Sequence, residues 1–414
     1  MTTNTTAYLG VDWGSETHQW CVLDATGGVL GERAVPHRTT DIQAALEWVQ
    51  HLTGSPPAQI GVAIETPRGV LVDTLLEQGY AVAAINPKQL DRFRDRFCPA
   101  GAKDDRRDAR ALADALRTDP RAFRAVRPED PAIIRLREVS RVLDDLQVEE
   151  GRLRNRLREQ LGRVQAGWLT LCPAADEPWL WDLLRATPHP DHWGTLARRR
   201  ITPVLRAQRI RRITADEVMA ALHAARLTVA PGVTDAVAVR IELLVPQLLL
   251  IRQQLRTTQH QLDRLLTDLA AAGADDPESR EHRDVEILRS LPGVGRIVAA
   301  TMLSEAVGPL ADRDYGTLRA YTGSAPITRR SGKRLPTVHM RYACKGRLRN
   351  AMFHWARTSI QSDVPARAYY ERLRARGHSF GRALRSVADR WLRILVAMLK
   401  SGTLYDSARF ATGA

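Results

Sequence analysis

The chain has 414 residues, 44% hydrophobic but only 6% aromatic, and carries 61 Lys and Arg against 47 Asp and Glu, a formal net charge of +14. That length leaves room for two or three domains with cores of Leu, Val, Ile and Ala, and the charge points to a polyanion, nucleic acid first, rather than a cationic partner. Four scattered cysteines, Cys21, Cys98, Cys172 and Cys344, exclude a disulfide framework and zinc-ligand spacing. No apolar run is long enough to span a bilayer and the N-terminus lacks a signal pattern, so a cytoplasmic protein without a membrane partner is expected.

Residues 7–25 alternate like two strands around a Gly-Ser turn, and Val29–Val35 extends the meander. Ile42–Leu52 reads as a helix, Gln59–Glu65 as a buried strand ending in a carboxylate, Leu71–Gln78 as a helix and Ala81–Ile85 as another strand. Strands alternating with helices predict an α/β domain over residues 1–125. The pattern then changes. Leu136, Val139, Leu143, Leu146, Leu153 and Leu157 follow three-four spacing, with Glu150 as the one defect. Ile241, Leu244, Leu248, Ile251, Leu255, Leu262, Leu265 and Leu269 repeat it, with Thr258 filling one place. This is the spacing of a coiled-coil seam, within one chain or between protomers, and equally of a buried face. Pro246 is expected to kink the second helix or to mark its start.

Between the two helices, at about 168–235, lies an insert with Trp168, Trp179, Trp181 and Trp193 and two arginine clusters. It reads either as a nucleic-acid surface or as a helical insert with a tryptophan core. Ala270–Asp276 looks like a linker, dividing a middle region of 126–275 from a C-terminal domain of 276–414.

Three acidic features stand in order. Asp12 ends the first strand, Glu65 ends a later one, and Asp104, Asp105 and Asp108 open a helix in AKDDRRDARALADALR. Both Asp105/Asp108 and Asp104/Asp108 share a helix face, so spacing does not choose between them. Hard oxygen ligands from two strand ends and a helix suit magnesium, and a pair of ions can clamp a phosphodiester in line. A helix N-terminal cap and a strand-end turn are the plain alternatives.

Further on, Leu291-Pro-Gly-Val-Gly295 before an apolar helix resembles a helix-hairpin-helix turn, in which Gly293 and Gly295 let amides approach a phosphate; an ordinary glycine turn is the alternative. Ser331 sits among Arg329, Arg330, Gly332, Lys333 and Arg334, a setting that would bind a phosphate and stabilise charge on its oxygens. Lys345 and Arg347, on the following helix, read as backbone contacts to nucleic acid or as a solvated face.

The order Asp12, Glu65 and K-x-D-x-x-D-A at Lys103–Ala109, with Gly323, Pro326, Ser331 and Gly332 downstream, resembles the DEDD insertion-sequence transposases related to the Piv DNA invertases. The resemblance covers the N-terminal domain and roughly Leu288–Thr358. It implies an RNase H-like, RuvC-like first domain, central antiparallel coiled-coil helices and a mainly helical C-terminal transposase domain. It implies Asp12, Glu65, Asp105 and Asp108 as catalytic metal ligands, with the alanine after Asp108 fixing the register, and Ser331 as the nucleophile. It further implies two magnesium ions (manganese substituting), donor and target DNA, an element-encoded bridge RNA as guide, and a dimer that pairs into a tetramer, associated with the nucleoid when active. A hydrolytic nuclease using the same carboxylates, an actin-like ATPase built on Asp12–Ser15 and a non-catalytic scaffold are the rival readings.

Overall fold

A computed structural model describes residues 5–94, 104–127, 130–224, 228–230, 232–275, 280–329 and 337–407. The chain divides into two compact units, Met1–Asp130 and Pro131–Ala414.

The first unit is built on a six-stranded sheet. β1 (Ala7–Asp12), β2 (Thr17–Asp24) and β3 (Val29–Pro36) form the expected antiparallel meander, followed by α1 (Thr39–Thr53). Then come β4 (Ile60–Ile64), α2 (Val70–Glu77), β5 (Ala81–Ala84), α3 (Pro87–Arg94), α4 (Asp105–Thr118) and the two-residue β6 (Arg124–Ala125). β4 pairs parallel with β1, β5 parallel with β4, and β6 antiparallel with β5, in the order β3-β2-β1-β4-β5-β6. The five longer strands fall where alternation and apolar runs place them.

Strand parity sorts the side chains onto two faces. Leu9, Val11, Trp20, Val22, Ile60, Val62 and Ile64 pack with Ile42, Leu46 and Val49 of α1 and Leu71 and Leu75 of α2. On the other face Cys21 and Leu23 pack with Ala109 and Ala113 of α4, and Ala63 with Leu112 and Leu116.

The second unit is helical. α5 (Pro131–Val164) leads into an insert of α6 (Gly167–Leu171), α7 (Pro178–Ala186), α8 (Arg198–Ala207) and α9 (Ala215–His223). α10 (Val233–Asp275) returns beside α5. α11 (Arg280–Ser290), α12 (Arg296–Glu305), α13 (Val307–Ala311) and α14 (Tyr315–Thr322) follow. β7 (Ile327–Arg329) and β8 (Thr337–His339) pair antiparallel, and α15 (Gly346–Ser362), α16 (Val364–Ala375) and α17 (Phe380–Ser401) close the chain.

The seam residues of α5 and α10, the insert and α11–α17 share one hydrophobic cluster. The expected linker at Ala270–Asp276 is therefore helical as far as Asp275, and the middle and C-terminal regions belong to one unit. Pro246 does not start α10, which continues through it. Near its end the buried position is Leu266 rather than Leu265. Glu150, the defect in the α5 pattern, is buried and faces Arg252 of α10, Oε1 to Nε 3.1 Å. The four insert tryptophans are fully buried, and Trp181 and Trp193 donate their indole N–H to the carbonyls of Ala175 and Thr187, each at 2.9 Å. They form a core and not a stacking surface. Among the described residues no helix is long and apolar enough to cross a membrane.

Charge divides unevenly between the units. Residues 1–130 hold 15 Lys and Arg against 18 Asp and Glu, a net of −3, and residues 131–414 hold 46 against 29, a net of +17.

Candidate active site

β1 and β4 run parallel with Val11 opposite Ile64, so Asp12 and Glu65, one step further along each, are neighbours at the same end of the sheet. Leu9 and Val11 point into the α1 core, which leaves Gly10 and Asp12 on the α4 face. Ile60, Val62 and Ile64 do the same, leaving Ala63 and, by continued alternation, Glu65 on that face.

The seating of α4 brings its acidic turn to this end. A Cβ built on Gly10 would overlap the Ala109 carbonyl oxygen and lie 2.7 Å from the Ala113 nitrogen, inside the hydrogen bond that joins those two residues in the helix. Only glycine permits so close an approach. Leu116 lies against Gly61, whose partner across the strands is Tyr8, while Ala109 lies against Gly10. The helix thus runs antiparallel to β1, and its first turn stands at the Asp12 end. Arg106 fixes the rotation by donating to Glu32 of β3, Nε to Oε2 3.2 Å. Asp105 and Asp108 both stand in that first turn, Asp105 one helical turn before Ala109, the residue seated on Gly10. Asp108 is 5% exposed, Asp12 and Glu65 are half-buried, and Asp105 is exposed.

Asp104 has a different task. It is the N-cap of α4, and its side chain accepts from the Arg106 amide at 3.3 Å.

Asp12, Glu65, Asp105 and Asp108 therefore occupy one end of one face. Carboxylates alone offer hard oxygen donors, the chemistry of a divalent ion such as magnesium, so the donor set fits the implied metal. The four are not drawn to ion-sharing distance: among the described residues the only trio with ligand atoms all within 4.8 Å is Cys172, Asp176 and Glu177 of the insert. That trio is met by cations, Arg154 on Asp176 at 3.3 Å and Arg212 on Glu177, and is an ion-pair cluster. Beneath α4 the Cys21 thiol is pushed up to about 12, by burial first and then by Glu32, and is no nucleophile at neutral pH.

In the second unit Ser331, Arg330, Lys333 and Arg334 lie outside the described residues, as does the side chain of Arg329; β7 and β8 pair on either side, Arg329 opposite Thr337. Lys345 and Arg347 are engaged within the chain. Lys345 Nζ donates to the Glu305 carbonyl at 2.6 Å and lies over the Tyr321 ring. Arg347 reaches Ser140 Oγ at 2.9 Å and Asp144 at 3.1 Å, and Arg141 meets Glu305 at 3.1 Å. Together they tie α5, α12 and α15 around a nearly buried Glu305, a role that sequence spacing did not reveal. Gly293 is in the left-handed region at φ +82°, and a Cβ there would lie 2.6 Å from the Ser359 nitrogen of α15. Gly295 stands open and exposed as the N-cap of α12.

Two family models match the chain. One, described as a transposase, covers residues 9–165, and the other, described as the IS116/IS110/IS902 transposase family, covers residues 285–371. A putative transposase for the IS117 mini-circle of Streptomyces coelicolor is 31% identical over 98% of this chain and 96% of its own length. The chain belongs to the IS116/IS110/IS902 transposase family. An uncharacterised protein of the IS110 element of the same organism is 28% identical over 97% of this chain and 95% of its own. Putative transposase y4uE of Sinorhizobium fredii is 46% identical over 52% of this chain, which spans 60% of that protein. A member of this family is an enzyme that cleaves and rejoins DNA. The first match contains all four carboxylates and the second contains Ser331.

Proposed function

We propose that this transposase exchanges DNA strands through a phosphoserine intermediate, with Asp12, Glu65, Asp105 and Asp108 as one half of a composite site and Ser331 as the other. What supports the reading is that the β1–β4 register and the seating of α4 on Gly10 put the strand ends of Asp12 and Glu65 and the first turn of α4 at one end of the sheet. The strand order, with only β2 antiparallel to the other four long strands, supports a RuvC-like first unit.

In the first step the Ser331 oxygen bonds to the scissile phosphorus and loses its proton to solvent. The bond from phosphorus to the 3′ oxygen breaks, and that oxygen leaves as a hydroxyl after taking up a proton. In the second step a 3′-hydroxyl from another strand attacks the phosphoserine and releases Ser331, so one phosphodiester is exchanged for another without ATP. Arg329, Arg330, Lys333 and Arg334 bind the phosphate and offset charge on its oxygens. Asp12, Glu65, Asp105 and Asp108 would hold divalent metal, magnesium by our assignment, and the bound metal would supply Lewis-acid polarisation at the phosphate. Donor and target DNA are the substrates, an element-encoded bridge RNA guides their choice, and α5 and α10 act as a coiled coil that sets a dimer pairing into a tetramer.

The test is a denaturing gel of end-labelled donor DNA incubated with magnesium and protein co-expressed with the element's flanking DNA. A covalent protein–DNA adduct is expected, lost in Ser331→Ala and in Asp105→Ala but kept in Asp104→Ala, where only a helix cap worth about 1 kcal/mol is removed. Cleavage without an adduct, indifferent to Ser331→Ala, would replace this reading with a hydrolytic nuclease.

A further inference from the structure

Trp13 stands out among nine tryptophans. Seven are buried, Trp48 is half-buried, and Trp13 is 52% exposed. It follows Asp12 directly, their Cα atoms about 3.8 Å apart, with its ring on the His18 side of the strand end.

Its exposure is not that of a loose loop. The Gly14 amide donates to Nδ1 of His18 at 3.3 Å, and His18 Nε2 meets His37 Nδ1 at 2.8 Å. His18 is fully buried, and burial first and then His37 push its imidazole below the usual histidine range, which keeps Nδ1 free to accept. The His37 amide donates to the Glu16 carbonyl at 2.7 Å, fastening the far side of the turn to the end of β3. A Cβ on Gly14 would overlap the Thr17 carbonyl oxygen, so the turn closes only around glycine. The indole is tilted against the His18 ring, 6.2 Å between centroids. A large apolar ring is thus held in water by a backbone that is fastened on both sides.

From this we propose that Trp13 stacks on an unpaired DNA base adjacent to the phosphate that the four acids address. The inference rests on the reading of Asp12 as part of the DNA-cleaving site. An aromatic face accepts any base, so such a contact needs no sequence preference. Holding the ring in place beforehand removes much of the ordering cost of the contact. An unpaired base at this point keeps the strand splayed and its phosphate in register with Asp12, which makes Trp13 a positioning residue for strand cleavage.

The probe is a single-stranded oligothymidine, with an abasic oligomer of equal length and charge as its control. Because seven tryptophans are buried and Trp48 is half-buried, the part of the full-length protein's fluorescence quench that is lost in Trp13→Phe reports on Trp13. Oligothymidine is expected to quench and the abasic oligomer is not. By fluorescence anisotropy of labelled DNA, Trp13→Ala is expected to bind oligothymidine about tenfold more weakly, while Trp13→Phe, which keeps a stacking face, restores the affinity. Equal quenching by the abasic oligomer, or unchanged affinity in Trp13→Ala, overturns the proposal. So does quenching by an oligouridine alone, which would assign the ring to RNA, or a spectral shift with protein concentration in the absence of DNA, which would assign it to a second copy. Asp12→Ala, which abolishes cleavage under the proposed mechanism, keeps the quench; cleavage that survives in Asp12→Ala removes the catalytic reading and leaves the stacking result to stand or fall by itself.

Discussion

Gly10 and Gly61 sit on the same face of adjacent strands, yet they differ in what a methyl group would meet. At Gly10 it enters the backbone of α4 between Ala109 and Ala113, and backbone cannot step aside. At Gly61 it touches only side chains, each at 3.4 Å. Gly10→Ala is therefore expected to cost about 3 kcal/mol or more, and Gly61→Ala less than about 1 kcal/mol. Thermal unfolding of the full chain should show a first transition lowered by roughly 10 °C for the former and hardly moved for the latter. Equal midpoints would mean that α4 is not seated as described. The sequence carried a trace of this seat, a glycine inside a strand and alanines four apart on a helix. What it could not supply was the pairing of the two. The same limit applies to Asp104, whose side chain is seen to cap α4 only once the Arg106 amide is in place.

At the scale of elements, patterns that depend on chain-local periodicity were legible and those that depend on a partner were not. The five longer strands of the first unit and the two long helices follow from alternation, apolar runs and three-four spacing alone. Glu150 breaks that spacing, and its reason lies 102 residues away in Arg252. The indole of Trp181 lies under the Arg252 guanidinium at 5.2 Å, and Asp176 accepts from it at 2.8 Å through its carbonyl oxygen. Arg252→Leu alone would leave a nearly buried carboxylate without its cation and is expected to cost about 2 kcal/mol, a figure reduced because a third of the arginine side chain is in water. Arg252→Leu combined with Glu150→Leu should recover most of that loss, since apolar residues fit the seam. Urea unfolding of the two variants measures the difference; a double variant no better than the single one would place the contribution of Arg252 in its other contacts. Pro246 shows the reverse case: of the kink or start that its local rule allows, the start is overridden, because α10 begins at Val233 and runs through it.

For the molecule as a whole, the net charge of +14 conceals a division: the unit with the four acids is at −3 and the other at +17. Affinity for non-specific duplex DNA should fall steeply with salt, with a logarithmic slope of about −4 or steeper, because each neutralised phosphate contributes roughly −0.9. A slope shallower than about −2 would mean that the basic excess does not follow the DNA backbone. The same division has a kinetic corollary. The acidic unit has no long-range attraction to DNA of its own, so it meets its substrate at the local concentration set by its covalent tie to the basic unit. Severed from that partner it would search by diffusion alone; joined to it, it works at the effective molarity that a covalent tie confers.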